Sequence, residues 1–287
     1  MAKKYEYFVP LMLGTANVSL KESDIAEVEI PLPPLPEQRR IVARIDELAT
    51  KIDEARAFRQ QAAKETEALT VSAGSSLFGE TPQVNWIPLS RFVAEIENGK
   101  SPQCESHPAS GDEWGVLKVG AVSFGSFDER ENKALPVGLE FDPRYEVCSG
   151  DFLMSRANTT ELVGACAIVG RTRPRLLLSD KTFRFHFRCD AAVSPQWLDH
   201  AMKSPALRDQ IERGASGTSP TMKNISKAKV LQLLLPPHSP PEQRRIVAEM
   251  DALYAKMDAL KRLQADSAAE FDAMLPSILD KAFKGEL

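Results

Sequence analysis

One segment of the chain occurs twice. Residues 36–43 read Pro-Glu-Gln-Arg-Arg-Ile-Val-Ala, and residues 241–248 repeat them at an offset of 205 positions. The alignment continues without a gap from residues 20–78 onto residues 225–283. This spacing excludes a solenoid, whose repeats span about 20–50 residues. The sequence therefore predicts two copies of one module with a separate domain between them.

Each copy carries the signals of a long helix that follows a strand. A short apolar run ends in prolines, which stop a strand because they cannot donate to its ladder. Pro36 and Pro241 then suit a first helical turn, where the N–H that proline lacks would have no partner. Gly74 and Gly79 predict the end of the first helix, and Pro276 predicts a kink or interruption in the second. A helix of about 40 residues would be about 60 Å long, which suits a spacer.

Apolar residues in both helices recur at alternating intervals of four and three, the 3.5-residue period of a coiled-coil seam. The predicted seam consists of Ile41, Ile45, Leu48, Ile52, Ile246, Met250, Leu253, Met257 and Leu260. Arg59 and Gln264 are equivalent positions that each place a polar group on it. The alternative is two solvated amphipathic helices on one globular body. The matched seams favour two helices that pack on each other, antiparallel because the second must return past the first.

The segment between the helices predicts a mixed, mainly β domain. Phe183, Phe185 and Phe187 alternate with polar residues, which predicts a strand with one buried and one exposed face. Residues 116–122 and 230–235 also predict strands, and residues 196–213 predict a helix. The fold class is therefore α+β, with a mainly β domain and two long helices packed as an antiparallel coiled coil.

Charge is distributed unevenly along the 287 residues, whose net charge is −4. Residues 82–150 carry a net charge of −5, whereas residues 151–235 carry +6. A basic half within an acidic chain is typical of a surface that meets phosphates. The alternative is an uneven but solvated surface.

Several kinds of chemistry lack their sequence signals. Residues 94–101 match a phosphate-binding loop poorly, because two glutamates would face the phosphate and Pro102 follows. The four histidines have no metal-ligand spacing, and the four cysteines are scattered, as in a reduced cytoplasmic protein. No run of apolar residues approaches the roughly 20 residues that a membrane-spanning helix needs. We expect no catalytic site, no metal and no membrane association.

The repeated motif resembles a known family. Residues 31–43, Pro-Leu-Pro-Pro-Leu-Pro-Glu-Gln-Arg-Arg-Ile-Val-Ala, and the long helix that follows resemble the conserved region of specificity subunits of type I restriction–modification systems. The resemblance runs from about residue 20 to the C-terminus. It is looser between the helices, where it rests on Asn98-Gly99-Lys100-Ser101, on residues 115–119 and on residues 155–159.

The family places a target recognition domain before each helix, and this implies a domain map. Residues 1–30 would be the remnant of a first recognition domain and residues 31–80 the first conserved helix, a spacer. Residues 81–235 would be an intact recognition domain and residues 236–287 the second conserved helix. The family has about 150 or more residues before its first helix, so the chain resembles a truncated, half-size specificity subunit.

The resemblance implies a non-catalytic subunit that recognises double-stranded DNA in a cytoplasmic complex. The partners would be a modification subunit, which methylates adenine with S-adenosylmethionine, and a restriction subunit, which uses ATP and Mg²⁺. A homodimer would supply two recognition domains and read an interrupted palindrome. The alternative is a scaffold or truncated product that binds partner subunits through its coiled coil without selecting DNA.

Candidate DNA contacts are polar side chains on predicted loops or exposed strand faces. Arginine and lysine suit guanine, asparagine and glutamine suit adenine, and hydroxyls suit either base or phosphate. The set comprises Lys100, Gln103, Arg156, Asn158, Thr159, Lys181, Arg184, Thr218, Ser219, Lys223 and Asn224.

Overall fold

A computed structural model describes residues 12, 19, 21–26, 32–79 and 82–287. The helices are α1 Glu22–Ala26, α2 Leu35–Gly79, α3 Pro195–Lys203, α4 Pro205–Gly214, α5 Lys227–Leu231 and α6 Pro240–Lys284. The strands are β1 Ile87–Pro88, β2 Val93–Asn98, β3 Gly115–Leu117, β4 Asn132–Ala134, β5 Phe152–Ser155, β6 Ala157–Asn158, β7 Cys166–Ile168, β8 Leu176–Leu177, β9 Thr182–Phe187, β10 Lys223–Asn224 and β11 Leu234–Leu235. Most of the predicted remnant, residues 1–30, lies outside the described residues.

The chain divides into two compact units. The first combines residues 1–67 with residues 255–287, and the second is residues 68–254. Each unit therefore contains part of α2 and part of α6. We call the first the helical unit and the second the recognition unit.

In the helical unit, α2 and α6 run antiparallel. Arg56 Nη2 lies 2.8 Å from Asp272 Oδ1, and Arg59 Nη2 donates to the Gln264 carbonyl while its guanidinium lies over the Phe271 ring. Residues later in α2 thus meet residues earlier in α6, which confirms the predicted direction. Since Arg59 and Gln264 are equivalent in the repeat, their contact marks the point about which the two copies are related locally by two-fold symmetry.

The predicted seam is buried unevenly. In the helical unit, Ile52 and Met257 are buried, whereas Ile41, Ile45 and Leu48 are half-buried. Leu260 is 37% exposed and is the least buried of the predicted seam residues. In the recognition unit, Ile246 and Met250 are buried and Leu253 is half-buried. Ile246 and Met250 belong to the core of that unit, together with Phe78 and Trp197. Two predicted seam residues of α6 thus lie in a globular core.

The recognition unit is built on small sheets. A four-stranded antiparallel sheet has the order β2-β9-β5-β7, and a three-stranded sheet has the order β4-β3-β8. One face of the larger sheet packs on α3, α4, the C-terminal end of α2 and the N-terminal part of α6. Phe152, Phe183 and Trp197 are among the buried residues of this core. The predicted α+β class is confirmed.

Three predicted elements are corrected. Residues 116–122 are a strand only to Leu117, because the chain then turns through a 3₁₀ helix in which Ala121 N–H donates to the Lys118 carbonyl. Residues 196–213 form two helices, since Pro205 disfavours a helical residue before it. Residues 230–235 are mostly not a strand, because Ser226 caps the short helix α5 and only β11 is extended.

Two helix-breaking residues lie inside helices. Gly74 does not end α2; a Cβ there would lie 3.4 Å from Pro205 Cδ, so glycine permits a close approach of the α3–α4 junction. Pro276 lies within α6, which continues to Lys284 without interruption. One lost backbone hydrogen bond is therefore not enough to end this helix. Among the described residues, no helix has the length and apolar character needed to cross a bilayer.

Candidate nucleic-acid interface

Four segments that are distant in the sequence meet at one end of the larger sheet. Gly99 N–H donates to the Ser179 carbonyl (3.1 Å), and Arg156 N–H donates to the Lys181 carbonyl (2.8 Å). Ile225 N–H donates to the Arg156 carbonyl (3.0 Å). We call the segments 99–103, 156–160, 179–181 and 216–225 the loop rim. It collects every candidate DNA contact except Arg184.

The first segment is fixed by a glycine. A Cβ on Gly99 would lie 1.7 Å from the Leu178 carbonyl oxygen, so any side chain there would separate the first and third segments. The Ser101 hydroxyl donates to the Asp180 carboxylate, which joins the same two segments again. Lys100 and Gln103 are exposed on this fixed backbone.

The second and fourth segments pair as the strands β6 and β10, with Asn158 opposite Lys223 and Ala157 opposite Asn224. Thr160 N–H also donates to the Pro220 carbonyl at 2.9 Å. The candidates Asn158 and Thr159 therefore lie beside the fourth segment, whose residues Thr218 and Ser219 are exposed.

Two side chains of the rim are already partly engaged. Arg156 Nη1 donates to the Asp180 carbonyl at 3.2 Å, and Lys223 Nζ donates to the Gly217 carbonyl at 2.6 Å. Both residues are half-buried, as is Asn224, whereas Lys181 is exposed. Lys100 and Lys181 are thus the cations of the rim best placed for phosphate contact.

Asn158 is held in place by its neighbours. Its Nδ2 donates to Ser123 Oγ at 2.9 Å, and its Oδ1 accepts from the Thr159 N–H at 2.9 Å. An amide has two N–H groups and two carbonyl lone pairs. One N–H and one lone pair therefore remain, and a carboxamide that reads adenine uses one of each.

The expected exposure of Arg184 is wrong. Its side chain is 8% exposed, with Nη2 2.6 Å from Glu97 Oε2 and Nη1 3.1 Å from Asp151 Oδ2. Residues 144–151 cover this face of β9, and the Arg144 and Glu146 carbonyls accept from the same guanidinium. Alternation predicted two faces correctly, but the polar face is covered at Arg184 and exposed only at His186. Arg184 is therefore an internal structural cation.

The carboxylate facing Arg184 has a shifted pKa. Burial of Glu97 disfavours its charged form, but hydrogen bonds from Arg184 and His186 outweigh that effect and lower its pKa. Glu97 is thus ionised and holds Arg184 against the sheet.

Much of the positive charge of residues 151–235 is likewise structural. Arg173 donates to the Gly111 and Glu113 carbonyls, and Arg208 donates to the Val163 and Glu161 carbonyls. Lys203 pairs with Asp199 at 2.5 Å. The sequence therefore overstates the charge available to a ligand. Exposed lysines remain on or after the rim, namely Lys181, Lys227 and Lys229.

The helix α6 is fastened to the recognition unit by polar contacts. Gln243 is buried, donates to the Ala192 and His238 carbonyls (2.9 Å each) and accepts from the Ser194 N–H (2.8 Å). His200 Nε2 lies 2.9 Å from Asp251 Oδ1, and its ring stacks on Tyr254. These contacts fix α3 and the residues just before it relative to the start of α6.

Two exposed apolar side chains near the rim were not among the candidates. Phe124 is 78% exposed and Met222 is 63% exposed. The sequence signal was available, because Phe124 lies in a glycine-containing turn and Met222 in a polar loop.

The chain thus contains a mixed domain that bears the loop rim and an antiparallel pair of long helices. Residues 1–61 match the family described as the type I restriction modification DNA specificity domain. The chain is 33% identical over 184 residues to the EcoEI type I restriction enzyme specificity subunit of Escherichia coli, covering 63% of this chain and 30% of that protein. It is 27% identical over 300 residues to the EcoKI specificity subunit of Escherichia coli K12, covering 99% of this chain and 63% of that protein.

Solved structures give the same result. The HsdS subunit from Thermoanaerobacter tengcongensis superposes with a TM-score of 0.59 at 26% identity, covering 99% of this chain and 67% of that one. A chain from a study of assembly and conformational transition in the type I restriction–modification system superposes with a TM-score of 0.68 at 28% identity, covering 96% and 66%. The predicted resemblance to the specificity subunits of type I restriction–modification systems is confirmed. The chain spans at most 63% of the length of these curated relatives.

Proposed function

We propose that this chain recognises a DNA sequence on behalf of a type I restriction–modification complex and has no chemistry of its own. The supporting observation is the loop rim, where four separate segments present carboxamides, hydroxyls and lysines on one fixed backbone. These groups match base edges and phosphates.

In that complex, the chain positions a modification subunit and a restriction subunit on duplex DNA. S-adenosylmethionine, ATP and Mg²⁺ belong to those partners. The antiparallel helices of the helical unit provide a rigid attachment for them. The exposed residue Phe58 on α2 offers apolar contact area for this purpose.

The rim is tested by a matched pair of lysine variants in the assembled complex. Lys181→Ala removes an exposed cation from the rim, and Lys133→Ala removes an exposed cation from β4 in the acidic part of the domain. We expect Lys181→Ala to weaken duplex binding at low salt and to reduce the slope of log K against log salt by about 0.9, because one phosphate contact is lost. Equal effects of the two variants would contradict the placement of the DNA at the rim.

Methylome sequencing separates recognition from the scaffold alternative. Cells that express the chain with its modification subunit should show methylated adenine in one defined motif, and cells that lack the chain should not. A complex that forms and leaves no motif would show a scaffold.

We further propose that two copies of the chain associate. In the recognition unit, Gln243, Ile246 and Val247 hold the recognition domain. Their equivalents Gln38, Ile41 and Val42 carry the same residues, yet Val42 is 56% exposed and Ile41 only half-buried. A second copy could cover this face, which would place two readers about a two-fold axis and give an interrupted palindromic motif.

Light scattering of the full chain tests the association. Val42→Asp should convert a dimer to a monomer, because a carboxylate would be buried without a partner. Val71→Asp, at an exposed position of the same helix, should leave the dimer intact. A wild-type chain that is monomeric with its modification subunit would contradict the proposal.

A further inference from the structure

Phe124 and Met222 are each adjacent in sequence to a residue that pairs with Asn158. Phe124 follows Ser123, whose hydroxyl accepts the Asn158 amide hydrogen. Met222 precedes Lys223, which is opposite Asn158 in the β6–β10 pair. Two large apolar side chains, exposed by 78% and 63%, are therefore each one residue away from a partner of the Asn158 carboxamide or backbone.

The Phe124 turn is rigid. Ser123 is buried, and its Oγ donates to the Val119 carbonyl at 2.7 Å. On the other side, Lys203 Nζ donates to the Gly125 carbonyl at 2.8 Å, and Gly125 has a φ of +83°, which glycine adopts without strain. The backbone thus holds an aromatic ring in solvent from both ends, as a preorganised binding group requires.

The hydrogen-bonding groups that Asn158 retains indicate which base the two apolar side chains would contact. Asn158 retains one N–H and one lone pair, which match N7 and N6 of adenine. Adenine pairs with thymine, whose 5-methyl group is an apolar feature of the major-groove edge. Apolar side chains on the residues next to the partners of Asn158 would therefore be within reach of that methyl group or of one on a neighbouring base pair.

We propose that Phe124 and Met222 are specificity-determining residues that contact thymine 5-methyl groups beside the adenine read by Asn158. This inference rests on the proposed function, because it requires duplex DNA at the loop rim. It adds two residues whose side chains form no hydrogen bonds to bases and which would recognise A·T pairs by apolar contact.

The test removes the methyl groups from the DNA. The wild-type chain, with its modification subunit, selects its preferred duplex from a randomised pool, and each thymine of the selected duplex is then replaced singly by uracil. We expect about a fourfold loss of wild-type affinity at one or two positions, the effect of one buried methyl group. Phe124→Ala or Met222→Ala should bind the thymine duplex less tightly and show no further loss with uracil at its own position.

The control is Val84→Ala, which shortens an exposed apolar side chain in the 3₁₀ helix Gln83–Asn85. It should behave as wild type with both duplexes. If wild type, Phe124→Ala and Met222→Ala all lose the same affinity on replacement of thymine by uracil, the inference is overturned. The proposed function still stands in that case, provided that the wild-type complex selects a defined sequence. Selection of no sequence by the wild-type complex would overturn both.

Discussion

The two copies of the repeated module have nearly the same sequence and different surroundings. In the second copy, Ile246 is 1% exposed within the core of the recognition unit. In the first copy, the identical residue Ile41 is only half-buried in the helical unit. The burial of a helix face thus depends on what packs against it. A repeated apolar pattern can therefore mark a docking face in one copy and a packed core in the other.

The largest expected effect separates these two isoleucines. Ile246→Ala should lower the free energy of unfolding by about 2–5 kcal/mol, because it leaves a cavity in a packed core. Ile41→Ala should cost on the order of 1 kcal/mol, since less apolar area is lost from contact. Urea unfolding followed by circular dichroism, at concentrations where the chain is monomeric, measures both. Equal losses at that dilution would show that the two faces are equally covered within one chain.

A smaller effect separates the two glutamines. Gln243→Ala would leave the Ser194 N–H and the Ala192 carbonyl without their buried partner, which should cost about 1–3 kcal/mol. Gln38 makes the equivalent local bond to the Pro33 carbonyl at 2.8 Å, and its removal should cost no more than about 1 kcal/mol. The same unfolding experiment compares them. A larger loss of unfolding free energy for Gln38→Ala would contradict the conclusion that the glutamine of the second copy is the one packed in a folded domain.

The acidic residue that holds Arg184 gives a pH-dependent effect within the recognition unit. The pKa of Glu97 is lowered in the folded chain, so its contribution is present above the unfolded pKa and is lost as pH falls through the folded value. Wild-type stability should therefore fall faster below about pH 4.3, the ordinary value for glutamate, than that of Glu97→Gln. Parallel pH profiles of the two chains would show that the pair does not stabilise the sheet.

The sequence predicted what depends on periodicity and local chemistry. The seam spacing predicted two long helices, and the return of the second helix past the first predicted their antiparallel direction. The 205-residue offset placed a separate domain between them. The loops chosen for polar content converge on one rim, but only long-range hydrogen bonds such as that from Ile225 to Arg156 show that they do.

Other features depend on packing that no local pattern contains. Arg184 alternates with phenylalanines as an exposed residue would, yet residues 144–151 cover it. Likewise, Ile41 and Ile246 cannot be distinguished by their neighbours in the sequence, because the burial of Ile246 comes from the core that surrounds it.

The smallest expected effect concerns Glu37 and Glu242, which occupy the same position at the start of each helix. The hydrogen bond from Arg40 is the main cause that lowers the pKa of Glu37, whereas hydrogen bonds from the Ser239 hydroxyl and N–H lower that of Glu242. Salt screens an exposed ion pair more than a bond from a neutral donor. Raising the salt concentration should therefore move the pKa of Glu37 back toward its ordinary value and leave that of Glu242 nearly unchanged, as carboxyl NMR titration can measure. Equal shifts would show that both helix starts are stabilised by the same kind of contact despite Ser239 standing where the first copy has Pro34.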